Sequence, residues 1–141
     1  MRIAVRVLGS FLLATPSVAE RVSDARLSWS AFECATFASF AGDEAEQHRL
    51  FQLGYDAGHR YVEALQAGRI SNDEIQNDVP IGFSLSMNGP STDFALGQVF
   101  AVASDDAVDK VTQQTNGSAD HALRRTAGSI LFHDANCSLL R

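Results

Sequence analysis

The sequence predicts an all-α fold: a small single-domain bundle of about four helices, stapled by one disulfide. Three observations carry that expectation. Apolar residues recur at three- and four-residue intervals over long stretches, which is the helical period. Capping signatures and glycine stops bracket those stretches. Finally, the 141-residue chain holds two cysteines, Cys34 and Cys137, one toward each end, and has the length of one domain.

Residues 1–19 read as a secretory signal. Arg2 and Arg6 supply the positive start, residues 7–14 a short apolar run, and Pro16 ends it. Ser17, Val18 and Ala19 then give the small residues a signal peptidase requires. Cleavage there leaves a single domain, 20–141, with nine basic residues against 17 acidic ones, a net charge of −8 in place of −6. In the oxidising compartment that export implies, periplasmic or extracellular, Cys34 and Cys137 form a disulfide joining the first helix to the last.

Residues 20–28 are polar and aperiodic and read as a loose lead-in. Ser30 and Glu33 have the spacing of a capping box, opening a first helix that runs to about Ala41 and stops at Gly42. Glu33 lies among Trp29, Phe32, Phe37 and Phe40; the cap is favoured over a buried carboxylate. Asp43 and Glu46 repeat the capping pattern for a long helix to about Ala67, stopped by Gly68. Its stripe includes Leu50, Phe51, Gly54, Gly58, Tyr61 and Leu65. Glycine costs a helix about 1 kcal/mol, so Gly54 and Gly58 on the buried face predict close approach of another backbone.

A short acidic helical turn follows from Ser71, ending before Pro80. Between Ile81 and Met87, apolar residues alternate with glycine and serine, which predicts a strand or an extended crossing segment. Asn88 to Ser91 is a turn, and Ser91 or Thr92 caps a helix to about Thr112. That helix places Gly97 and Ala101 beside its apolar stripe, a small-residue surface expected to face Gly54 and Gly58. Asn116 and Gly117 turn the chain, and a last helix from about Ala119 leads to Cys137.

The composition limits function. A net charge of −6 with one lysine excludes a protein that grips nucleic-acid backbone without regard to sequence. No apolar run reaches the roughly 18 residues of a membrane span. The chain shows no G-x-S-x-G elbow and no glycine-rich phosphate loop, and no motif in it implies a cofactor. Asp56, His59 and Glu63 share a helix face as carboxylate, imidazole and carboxylate, a set able to ligate a divalent metal or orient a base. They stand opposite the apolar stripe with His48 and Gln52, so a solvated face with Asp56–Arg60 and His59–Glu63 pairs is favoured. Pro90, Ser91 and Asp93 form the most distinctive segment, read as a turn and cap that also suits a partner's group at a helix N-terminus.

Two resemblances are present. Residues 105–109, Asp-Asp-Ala-Val-Asp, resemble the magnesium motif of prenyl diphosphate synthases, but no second aspartate-rich motif exists and the chain is too short for that fold; Ser104 opening a helix accounts for them better. Gly54-Tyr55-x-x-Gly58 and Val79-Pro80-Ile81-Gly82 loosely resemble small disulfide-containing periplasmic immunity proteins, although in that family a cysteine lies near the Gly-Tyr pair and here Cys34 is twenty residues earlier. Small size, a disulfide staple, no convergent catalytic set and an acidic surface suited to a basic partner set the expectation: a small exported, non-enzymatic protein binding another macromolecule, with a protein as the partner, as an inhibitor, immunity protein or envelope accessory factor. The alternatives are a metal-binding protein using Asp56, His59 and Glu63, and an acid-responsive chaperone.

Overall fold

The computed structural model describes residues 18–141; of the expected signal segment only Val18 and Ala19 fall within it. The chain is all-helical: α1 (Val18–Ala41), α2 (Glu44–Gln66), α3 (Asn72–Asp78), α4 (Ile81–Ser86), α5 (Thr92–Gln114) and α6 (His121–Asp134). A 3-10 turn, Cys137–Leu139, closes it. Among the described residues there is no strand, and four of the helices are long.

α1 is the central element, with α2, α5 and α6 each packed along it. Its N-terminal half contributes Ala25 and Phe32 to one apolar cluster with Tyr61 and Val62 of α2, Phe83 of α4, and Val99 and Ala103 of α5. Its C-terminal half contributes Cys34, Ala35 and Phe37 to a second, with Leu50, Ala107, Val111, Ala127 and Cys137. α2 therefore runs antiparallel to α1, and α5 runs in the same sense as α1. Burying each of Phe32, Leu50, Tyr61 and Phe83, all at most 2% exposed, contributes about 1.5–3 kcal/mol against the exposed state.

The second cluster contains the Cys34–Cys137 disulfide, whose Cα atoms are 5.5 Å apart. It fastens the 3-10 turn to the middle of α1. Arg49 adds a latch, donating to the carbonyl oxygens of Leu140 at 2.9 Å and Cys137 at 3.3 Å.

Several local expectations are corrected. α1 begins at Val18 and runs through residues 20–28, where a loose lead-in was expected, so Ser30 is an interior residue and not a cap. The reason is packing: Ala25 and Ser28 are fully buried and extend the Phe32 stripe backward at helical spacing. Ser104 is likewise interior to α5; its hydroxyl accepts from Thr36 at 3.0 Å.

The segment expected to be strand-like is the helix α4. Ile81 and Leu85, four apart, are both exposed, whereas Phe83 and Ser86, three apart, are buried. Burial therefore follows the helical period, and over six residues the sequence alternation coincides with it. Gly82 admits the ring of Trp29, since a Cβ there would overlap Trp29 Cη2.

The long helices follow their caps. Asp43 accepts from the Glu46 N–H at 3.1 Å and opens α2, and Gly68 at φ +65° ends it. Ser91 accepts from the Phe94 N–H at 3.2 Å and opens α5, and Asp120 does the same for α6 through the Leu123 N–H at 2.9 Å.

Gly54 and Gly58 do lie at a close helix approach, but against α1 and Leu96. A Cβ on Gly54 would stand 2.7 Å from Phe32 Cδ1 and 3.1 Å from the Ser28 carbonyl oxygen. One on Gly58 would stand 2.4 Å from Leu96 Cδ2. Gly97, expected to face them, is exposed and has open space around it. The close crossing is α1 on α2, antiparallel neighbours joined by a two-residue turn.

Candidate binding groove between α2 and α5

α2 and α5 both pack on α1 and touch each other only lightly, so a groove opens between them. Ala35, Thr36 and Ser39 of α1 form its floor. Glu44, Gln47, His48 and Phe51 of α2 make one wall, and Phe100 and Ser104 of α5 the other, enclosing about 550 Å³. Phe51 is 39% exposed and meets Phe100 edge-on at 5.1 Å between ring centroids. Phe100 in turn meets buried Phe32 at 5.3 Å, so the groove's apolar end is continuous with the core.

Spacing explains how α2 supplies that wall: Glu44, Gln47, His48 and Phe51 stand at i, i+3, i+4 and i+7 on one helix face. From Phe51 a second row, Tyr55 and His59, continues along α2 at i+4 and i+8. Their rings form a ladder, 6.4 Å from Phe51 to Tyr55 and 4.5 Å from Tyr55 to His59. At the ladder's far end Asp93, in the first turn of α5, receives the Tyr55 hydroxyl at 2.7 Å and lies 2.9 Å from His59 Nε2. The Tyr55 hydroxyl first, then His59, holds the Asp93 carboxyl below the usual aspartate range; the same bond holds the Tyr55 phenol proton above the usual tyrosine range. This clamp fixes the α5 N-terminus to α2.

Between α1 and α5, Lys110, the chain's one lysine, bridges two carboxylates, Glu33 of α1 and Asp106 of α5, at 2.5 and 2.8 Å. Burial raises the Glu33 carboxyl above the usual glutamate range, and a hydrogen bond shared with Asp106 adds to the rise. Glu33 is thus the half-buried carboxylate that the capping-box reading passed over.

The structure unites two of the residues picked out as interaction candidates, His59 and Asp93, and scatters the others. Asp56 is exposed and accepts from Gln52 at 2.9 Å, and Glu63 is exposed farther along α2. The expected Asp56–Arg60 and His59–Glu63 pairs give way to Arg60–Asp24 at 2.7 Å and His59–Asp93. Among the described residues no group of three His, Cys, Asp or Glu side chains lies together as a metal site, so Asp56, His59 and Glu63 do not converge. Pro90 is exposed in the turn, and Ser91 serves as the α5 cap.

The groove itself escaped the sequence reading. Its α2 wall, Glu44, Gln47, His48 and Phe51, has helical spacing, but the sequence reading divides it, with Phe51 in the apolar stripe and His48 on the solvated face. Comparison of the chain with known protein families, curated proteins and solved structures gives no match.

Proposed function

We propose that this is an exported, non-enzymatic protein that binds another protein through the groove between α2 and α5. The observation that carries the reading is the groove's composition: half-exposed Phe51 and Phe100 at its apolar end, with Gln47, His48 and Glu44 along its rim. A concave apolar surface with a polar margin suits an inserted side chain from a partner.

Charge supports a basic partner. The chain carries 17 acidic residues against 11 basic, and electrostatic complementarity speeds and selects encounter. Two further features accord with export: the Cys34–Cys137 bond, which persists in oxidising compartments, and the absence among the described residues of a helix long and apolar enough to cross a membrane.

The test is recovery of a partner from the exported fraction of the native host, comparing the natural chain with a Gln47→Arg/His48→Arg variant. Both positions are exposed, so the fold is preserved and only the rim's charge and shape change. One protein recovered with the natural chain and lost with the variant supports the reading. Equal recovery with both, or none with either, overturns it.

A further inference from the structure

Four of the cations among the described residues are matched to carboxylates. Arg26 pairs with Asp78, Arg49 with Glu46, Arg60 with Asp24, and Lys110 with Glu33 and Asp106. Arg124 and Arg125, consecutive in the first turns of α6, make no such pair. With His121 one turn earlier and Ser39 and Phe40 of α1, they line a cavity of about 310 Å³ that has no carboxylate in its wall.

The two guanidinium groups are held by other means. Arg124 lies over the Phe40 ring, its central carbon 4.9 Å from the centroid, and its Nε is buried without a hydrogen-bond partner. Leaving a buried donor unmet is costly, and a charged one more so. Arg125 lies against the turn between α1 and α2: a Cβ on Gly42 would stand 2.8 Å from its Nη2. Gly42 has φ +79°, a backbone conformation that favours glycine at this turn. The nearest acid in sequence, Asp120, is turned to the Leu123 N–H as the α6 cap and is no part of the cavity wall.

We propose that this cavity binds a phosphate group, borne by a small soluble phosphomonoester. Two arginines, a histidine and a serine line it with no carboxylate among them. That donor set exceeds what two carboxylate oxygens need and matches an anion with three terminal oxygens. The cavity is also roomier than inorganic phosphate requires, and Phe40 offers an apolar side to whatever carries the phosphate. The site lies across Ser39 from the α2–α5 groove and is independent of the protein-binding reading.

The test is calorimetric titration of the natural chain at low ionic strength with glycerol 3-phosphate, inorganic phosphate and, separately, vesicles containing phosphatidic acid. The proposal expects saturable one-to-one binding of glycerol 3-phosphate, with inorganic phosphate competing for the same site. Arg125→Gln should weaken it about tenfold, the loss of a charge-assisted bond, while Arg69→Gln, an exposed arginine elsewhere, leaves it unchanged. Because Arg125 is exposed, that variant folds even if Arg124→Gln, which gives up the Phe40 contact, does not. No saturable binding of either soluble phosphate overturns the proposal. So does equal weakening by Arg125→Gln and Arg69→Gln, or adsorption to vesicles alone, since each signals general surface charge and not a formed site.

Discussion

Four glycines in the long helices provide a graded test of how closely those helices approach. In an exposed helix interior, replacing glycine by alanine gains about 1 kcal/mol, through backbone entropy and helix propensity. Gly97 on α5 has nothing within 4 Å of an added Cβ, so Gly97→Ala should stabilise by about 0.5–1 kcal/mol. Gly128 on α6 is the opposite case. Its Cβ would stand 2.6 Å from Phe40 Cβ, 2.9 Å from the Ala41 nitrogen and 3.0 Å from the Phe37 carbonyl oxygen. These are backbone or backbone-attached atoms of α1, so no rotamer change relieves them and the helices must part. Overpacking of that kind costs about 1–3 kcal/mol, more where backbone is the obstacle, so after the propensity gain Gly128→Ala should destabilise by about 1–2 kcal/mol.

Gly54→Ala should behave like Gly128→Ala, because Phe32 is locked in the core and the Ser28 carbonyl lies 3.1 Å away. Gly58→Ala should fall between, its nearest obstacle being the end of the Leu96 side chain. Thermal unfolding followed by far-UV circular dichroism resolves the series, since 1 kcal/mol corresponds to roughly 3–6 °C in a domain of this size. The predicted order of stability is Gly97→Ala, natural chain, Gly58→Ala, then Gly54→Ala and Gly128→Ala. If Gly128→Ala or Gly54→Ala melts above the natural chain, α1 does not approach α6 or α2 as described, and the packing argument fails.

Two other outcomes follow from the core. The disulfide spans a sequence separation of 103, so a Cys34→Ala/Cys137→Ala chain should lose about 4–5 kcal/mol by the loop-entropy relation, a large part of a typical domain's stability; an unchanged urea midpoint would contradict this. Burial of Glu33 penalises its ionised form, so the natural chain should lose stability as pH rises from the ordinary glutamate range through the raised folded value. Glu33→Gln removes that dependence while Asp106 keeps Lys110 paired; melting curves from acidic to neutral pH that keep the same slope in both proteins would refute it.

The parts of this architecture legible in the sequence are those with local causes. α2 could be bounded because Asp43 caps it, Gly68 stops it and its apolar stripe runs for five turns between them. The disulfide could be paired because two cysteines permit one pairing. Ser30 and Glu33 misled because a capping-box spacing also occurs inside helices, where packing of Ala25 and Ser28 decides the start. Ile81–Met87 misled because seven residues are too few to separate a period of 2 from one of 3.6. The groove and the α6 cavity depend on contacts between residues far apart in the sequence. Thr36 and Ser104, which meet across the groove, are 68 residues apart, and only the placement of α5 and α6 on α1 forms the two sites. Gly97 shows the converse, a residue whose sequence context suggested a packing surface that the rotation of α5 turns to solvent.

The central claim is that the α2–α5 groove receives a protein partner, and site-directed photo-crosslinking in the native host tests it most directly. A photoreactive residue at Gln47, on the groove wall, should capture one discrete protein, and the same residue at Ser129, on the exposed part of α6, should not. The captured protein, once purified, should bind the natural chain and compete with crosslinking at Gln47. Capture of that same protein from Ser129 with equal yield, or no capture from Gln47, would contradict the account.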